Sequence, residues 1–293
     1  MLDRCLASLA AARRDDDELV VVDSASRRSE VADVARHHDV RLLRCERPGV
    51  DRARNAGWRA TRHALVLFVD DDITVDPGWA DAMVAAFTLD SHAAFVTGRV
   101  EVPPHQSGID RPVAIKDDDE PAVLDARSEG TIGHSASLGV RRSVLERIGG
   151  FDEALGAGAR FRSAPEVDLF DRIFAAGLSG RYQPEAVAWH DQWRGRSDKI
   201  RLDWRYGIGA GARVAKLLRT DRRRAARVAR ETLWDGGVKG AVADLRNRYE
   251  LGAVTKLALA SGCVVGLVVA APVPVRDGHF APPGARAAAG ARR

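Results

Sequence analysis

The sequence predicts an α/β fold, a Rossmann-like and mostly parallel central sheet followed by a helical basic C-terminal region. Three observations carry that expectation. Two almost wholly apolar runs, Leu19–Val22 and Ala64–Val69, each end in aspartate, as buried strands do when they deliver polar side chains to one edge of a sheet. Segments with helical spacing of apolar residues separate these runs, and such alternation is the pattern of βαβ units. Beyond Arg196 the alternation stops and arginine-rich helical segments take over.

In chain order, Leu2, Leu6 and Leu9 recur at helical spacing, the acidic run Asp15–Glu18 breaks that helix, and the first strand follows. It ends in Asp23 and Ser24, polar groups suited to a base or ribose at a sheet edge. Glu30–His38 reads as a helix and Val40–Leu43 as a short strand. Pro48–Gly57 is a turn and a helix start, after which the apolar run leads to Asp70-Asp71-Asp72. The stretch Pro103–Gly130 reads as a long loop, and its acidic cluster Asp117–Glu120 as solvated because no apolar strand positions it. Leu138–Val140 is a strand, the segment from Ser163 to Arg172 a helix opened by Pro165 and Glu166, and Ala186–Trp189 strand-like.

A chain of 293 residues has room for one large α/β domain or two smaller ones. The net charge of +4 is small, but basic residues crowd the second half, as in Arg222-Arg223-Arg224. That regional balance favours anionic lipid or phosphate partners over nucleic acid. Cys5, Cys45 and Cys263 lie far apart, which excludes a disulfide framework and a zinc site and fits a reducing cytoplasm. Met1–Ala12, amphipathic and carrying Asp3 and Arg4, does not read as a signal peptide.

The chemistry centres on the Asp triplet. A hard cation such as Mg²⁺ takes few protein carboxylates and fills its other positions with water or phosphate oxygens, so Asp-x-Asp suits a metal shared with a diphosphate. The wider pattern is more specific. Val21-Val22-Asp23-Ser24, Pro48-Gly49 with Ala53-Arg54-Asn55-Ala56-Gly57, Phe68-Val69-Asp70-Asp71-Asp72 and Pro77-Gly78-Trp79 follow in order. Gly149-Gly150-Phe151-Asp152-Glu153, Glu166-Val167-Asp168-Leu169 and His190 continue it. In this order and spacing the chain resembles the family-two inverting glycosyltransferases, which have the GT-A fold, over roughly Met1 to Arg196.

The resemblance implies a nucleoside diphosphate sugar as donor, with Mg²⁺ or Mn²⁺. It places the base that takes the acceptor hydroxyl's proton at Glu166, where the family usually carries the Asp of Glu-Asp, with Pro165 at the Glu position. It implies Asp72, Asp70 and His190 as metal ligands. Donor contacts fall on Asp23, Ser24, Arg52, Asn55, Asp70, Asp71 and Arg194, with Asp70 or Asp71 toward the ribose or acting through water. Arg194 and Arg196 suit a diphosphate clamp, since guanidinium forks match phosphate oxygens. Trp189 and Trp193 suit sugar stacking or core packing. Family members begin with an apolar strand ahead of the first helix, and Met1 falls inside that helix. The reading frame is therefore expected to continue upstream; the other expectation is loss of the strand together with activity.

Past Arg196, Asp198–Leu218 and Arg222–Asp235 read as basic helices with Trp204, Tyr206, Leu217 and Leu218 on an apolar side, a pattern that suits an anionic membrane surface. Leu257–Val275 is uncharged and holds Gly262 and Gly266 at small-xxx-small spacing. Pro272 and Pro274 shorten its usable helix, which favours a membrane-surface or re-entrant segment over a span. Pro282–Arg293 reads as disordered. The expected organisation is a glycosyltransferase domain over 1–196, a membrane-associated helical region over 197–281 and a tail over 282–293. The expected function is a cytoplasmic hexosyltransferase at the inner face of the plasma membrane, acting on a hydroxyl acceptor that is lipid-linked or part of the cell envelope, with no nucleic-acid partner. The alternative is a catalytically inactive sugar-nucleotide-binding homologue.

Overall fold

The computed structural model describes residues 1–27, 29–109 and 112–282, without the side chains of residues 196 and 197. The tail expected to be disordered therefore lies, from residue 283 onward, outside the described residues. Two compact units divide the chain, one of 1–48, 52–151 and 166–193, the other of 49–51, 152–165 and the chain from 194.

The first unit opens with α1 (Leu2–Ala12), then β1 (Val20–Ser24), α2 (Glu30–His37) and β2 (Arg41–Cys45); β1 and β2 pair in parallel as a sheet of their own. After α3 (Val50–Ala60) come β3 (Leu65–Phe68), the three-residue β4 (Ile73–Val75), α4 (Trp79–Leu89) and β5 (Phe95–Glu101). Then follow β6 (Ala122–Leu124), β7 (Leu138–Arg141), α5 (Arg142–Ile148), α6 (Pro165–Ala175) and β8 (Gly180–His190). The larger sheet has the order β3-β7-β5-β8-β4, with β6 also on β8. Its longest strands, β5 and β8, are parallel, and β3 runs their way; β7, β4 and β6 run against them. The α/β class is as expected, but the sheet is mixed, because β7 threads antiparallel between β3 and β5.

The sheet is covered on both faces where β3 and the start of β5 run, and these stretches are apolar at successive positions, whereas β8 alternates buried apolar residues with Arg181, Gln183 and Glu185. Successive residues of β5 point to opposite sides. Phe95 packs with Phe170 and Phe174 of α6, its ring stacked 4.7 Å from Phe170, whereas Val96 packs with Trp79, Met83 and Phe87 of α4. The stretch 103–130 is less open than a long loop, since β6 pairs with β8 and Lys116 bridges Val100. Its acidic cluster is tied to cations: Asp118 accepts from Lys116 at 2.7 Å and Asp119 from Arg99 at 2.8 Å.

The second unit contains α7 (Arg196–Thr220), α8 (Arg222–Ala229), a wider π-type helix over Arg230–Lys239, α9 (Gly240–Arg246) and α10 (Glu250–Ala270). A hairpin of β9 (Val275–Arg276) and β10 (His279–Phe280) completes it. Helix α10 starts before the uncharged run and stops ahead of Pro272, as proline requires. It packs on α7 through glycine: a Cβ on Gly207, Gly211, Gly262 or Gly266 would collide with the carbonyl oxygen of Leu259, Cys263, Trp204 or Ile208 respectively. The small-xxx-small spacing thus serves a helix–helix contact within this unit. A buried ion pair fixes the loop 152–165, because Asp152 Oδ2 accepts from Lys216 Nζ at 2.7 Å and from the Phe280 amide at 2.8 Å.

Candidate active site

The turn between β3 and β4 carries Asp70, Asp71 and Asp72, and the pairing of β4 with β8 decides what faces it. Ile73 lies opposite His190, and the Asp191 amide donates to the Asp72 carbonyl at 2.9 Å. The Asp72 carboxylate accepts from Trp193 Nε1 at 3.0 Å and lies 3.3 Å from His190 Nε2. On the other side of that ring, Nδ1 lies 2.9 Å from the Val113 carbonyl and 3.0 Å from Gln192 Nε2, contacts that orient the ring with Nε2 toward Asp72. Burial opposes charge on His190, but the hydrogen bond and charge of Asp72 outweigh it and raise the pKa above its ordinary value. A histidine oriented through one nitrogen by a backbone carbonyl, with a carboxylate at the other, is a donor set that fits a divalent cation.

Asp70 does not join that pair. It accepts from Arg54 Nη2 at 2.7 Å; the same nitrogen donates to Ser135 Oγ at 2.8 Å, and the guanidinium sits over the Phe151 ring. The Arg54 side chain is 8 % exposed, and a cation so buried requires an anion beside it. Of the residues expected as metal ligands, Asp72 and His190 lie together and Asp70 is paired with Arg54. Among the described residues, only Asp3, His37 and His38 bring three ligand atoms within 4.8 Å of one another. Asp71 is more open, yet partial burial and then the charges of Asp72 and Asp70 raise its pKa. Cys5 Sγ donates to the Asp70 carbonyl at 3.5 Å; burial and the three carboxylates push that thiol up to about 12, so it stays protonated.

Glu166 opens α6, with its carboxylate 4.0 Å from His134 Nδ1, too far for a direct hydrogen bond. His134 Nε2 lies 3.2 Å from the Ile115 carbonyl. Burial lowers the His134 pKa against the pull of Glu166. The charges of His190 and Asp70 also act on this ring, so the Glu166–His134 pair and the Asp turn share one electrostatic neighbourhood.

The other expected donor contacts divide. Asp23 and Ser24 end β1, but the Asp23 carboxylate is already held by the Ser26 amide at 2.8 Å and by Arg44. Although burial works against it, these partners lower its pKa. Arg52 Nη1 donates to the Pro48 carbonyl at 2.8 Å. Arg194 belongs to the second unit, and the Arg196 side chain lies outside the described residues. Asn55 needs correction. Its amide donates to the Phe151 carbonyl and accepts from the Phe151 amide, both at 2.9 Å, and from Trp58 Nε1 at 3.0 Å, so it is a core clamp rather than a donor contact. Asn55→Ala strands three buried polar groups and is expected to lower the free energy of unfolding by about 2–4 kcal/mol. Urea titration checks this, and a midpoint equal to the parent's overturns the clamp.

Arg54 was not singled out by sequence reasoning, although a signal existed. Asp51, Arg54, Asn55 and Trp58 fall at i, i+3, i+4 and i+7, the stripe a helix buries, and three of the four are polar.

A family model described as glycosyl transferase family 2 matches residues 1–149. Two curated relatives, each described as a pre-mycofactocin glycosyltransferase, come from Mycobacterium tuberculosis strains CDC 1551 / Oshkosh and ATCC 25618 / H37Rv. Each is 30% identical over 208 residues, covering 67% of this chain and 42% of the relative, so the chain spans about two fifths of their length. Among solved structures, the mannosyltransferase PcManGT from Pyrobaculum calidifontis, in complex with GDP-Man and Mn2+, matches with a TM-score of 0.58 at 20% identity. The match covers 91% of this chain and 83% of that one and speaks for a shared fold, in line with the GT-A class.

Proposed function

The chain belongs to glycosyl transferase family 2, and from that premise we propose that it moves a sugar, with inversion, from a nucleoside diphosphate donor to a hydroxyl acceptor in a metal-dependent reaction. The observation that carries this reading is the approach of Asp72 to His190 at 3.3 Å where β4 meets β8. Asp72 and His190 would hold a divalent cation, Mg²⁺ or Mn²⁺, which would supply positive charge for the leaving diphosphate. The complex of PcManGT with GDP-Man and Mn2+ supports a nucleotide sugar with a divalent ion.

Glu166 is proposed as the base. It takes the acceptor hydroxyl's proton while that oxygen bonds to the anomeric carbon and the bond to the diphosphate oxygen breaks, its electron pair leaving with the diphosphate. His134, kept from protonation by burial, limits where the Glu166 carboxylate sits. Arg54 holds Asp70 at the edge of the site, toward the donor ribose. Asp23, Ser24, Arg52, Asp71 and Arg194 remain proposed donor contacts. The basic helices of the second unit favour a lipid-linked or cell-envelope acceptor at an anionic membrane, on the cytoplasmic face. One observation favours a second reading, an inactive sugar-nucleotide-binding homologue: Asp70 is committed to Arg54 and stands apart from the Asp72–His190 pair.

A panel of nucleoside diphosphate sugars, read out as released nucleoside diphosphate with Mn²⁺ or with EDTA, separates the two. Release on at least one donor, abolished by EDTA and restored by Mn²⁺, is expected. Metal-dependent donor binding with no release on any donor and acceptor tried leaves the binding homologue, and release unaffected by EDTA overturns the metal requirement.

A further inference from the structure

The second unit holds a cavity of about 610 Å³ that the transfer chemistry does not use, lined by Arg162, Ile200, Arg201, Trp204, Arg205 and Ala258. Three of these six side chains are guanidiniums, and among the described residues no carboxylate is recorded in an ion pair with them. The fold builds the cavity from three directions. Gly207 and Gly262 bring α7 and α10 together backbone to backbone, and one turn earlier on α10 the small Ala258 leaves space beside Ile200 and Trp204. Arg162 arrives from the loop before α6. Its backbone is left-handed at φ 59°, and the next residue anchors it by donating Ser163 Oγ–H to the Tyr206 carbonyl at 3.2 Å.

An apolar surface begins at the same place. Val254 and Val265 lie four residues before and seven after Ala258, on one helical stripe. With Leu257, Val264 and Val268 they are 42% to 65% exposed. Water-facing valines of this number stand out on a soluble surface. Arginines with no ion-pair partner among the described residues stand beside them and select the occupant by charge: an amphiphile whose head is anionic and whose body is apolar.

We propose that this cavity is a headgroup site for an anionic phospholipid. Its phosphate is held by Arg162, Arg201 and Arg205, while α10 lies in the plane of the membrane surface with its valine stripe among the acyl chains. Trp204, which lines the cavity and is partly exposed, takes the headgroup level that amphipathic rings favour. This rests on the reading that the second unit meets an anionic membrane, and it names the residues and the ligand class.

Flotation of the full chain with vesicles tests it, using phosphatidylcholine alone and phosphatidylcholine with about 30 % phosphatidylglycerol, an anionic lipid that attracts basic residues near the surface. The chain is expected to float with the anionic vesicles only. Removing two basic contacts is worth about thirtyfold in partition coefficient, so Arg201→Glu/Arg205→Glu is expected to lose at least that much. Arg222→Glu/Arg223→Glu, equal in charge change but outside the cavity, loses far less, and Val264→Asp/Val268→Asp weakens binding without touching an arginine. Donor affinity serves as the check on folding and stays at the parent's value throughout. If the parent ignores anionic vesicles, the membrane reading and this site fall together. Binding by the parent and equally by Arg201→Glu/Arg205→Glu leaves membrane binding standing and overturns the site alone. A saturable isotherm for inorganic phosphate that these substitutions abolish, with vesicle binding unchanged, assigns the cavity to free phosphate and overturns the lipid.

Discussion

Asp72→Ala abolishes metal-dependent binding of the nucleoside diphosphate donor while the chain stays folded. The Asp72 side chain is 11% exposed and lies on a turn, so its removal leaves the apolar core intact. What goes is the carboxylate that faces His190 Nε2 at 3.3 Å and receives Trp193 Nε1 at 3.0 Å. A divalent ion bound through two protein groups and the donor's own oxygens cannot spare one of the two. Loss of an outer-shell partner alone typically costs about 10- to 100-fold in metal affinity, and loss of a ligand costs more. Calorimetry with a nucleoside diphosphate, with and without Mn²⁺, is the measurement. An Mn²⁺-dependent affinity equal to the parent's would mean that the ion, if used, is held elsewhere.

Glu166→Gln is the second large effect, about a hundredfold or more in turnover, the scale of general-base catalysis, with donor affinity preserved. The substitution keeps size and shape and removes only the capacity to accept a proton. Steady-state turnover alongside donor affinity distinguishes a lost base from a damaged site, and turnover near the parent's would place the base elsewhere. The neighbouring Asp168 is a poor substitute: it is buried and committed to Arg172, whose Nε donates to it at 2.9 Å.

The elements whose signal is local were legible. Strands β1 and β3 announce themselves by an apolar run that leads to an abrupt acid, Asp23 or Asp70, and α6 by Pro165 and Glu166 at its first turn. Pairings made across the chain were not. Nothing in Leu138–Arg141 says that it will enter between β3 and β5 against their direction, and the three residues of β4 are too few to carry a period. Yet β4 sets His190 against Asp72. The same limit applies to side chains. Asp70 and Asp72 look equivalent in sequence, but a residue on α3, Arg54, separates their fates. Asn55 carries the same polarity whether it faces a ligand or a backbone, and only its neighbours Phe151 and Trp58 decide which.

The glycines between α7 and α10 constrain the gene as well as the protein. A single base change in a glycine codon that alters the residue gives Ala, Val, Ser, Cys, Asp, Glu, Arg or Trp, and every one of these carries a Cβ. At Gly207, Gly211, Gly262 and Gly266 that atom meets a carbonyl oxygen of the other helix, and a carbonyl within a helix has no freedom to turn away. The mildest available mutation, to Ala, therefore meets the same first obstacle as the most severe. At these four codons there is no graded path by which drift can sample neighbours: the helices stay in contact with glycine, or they part.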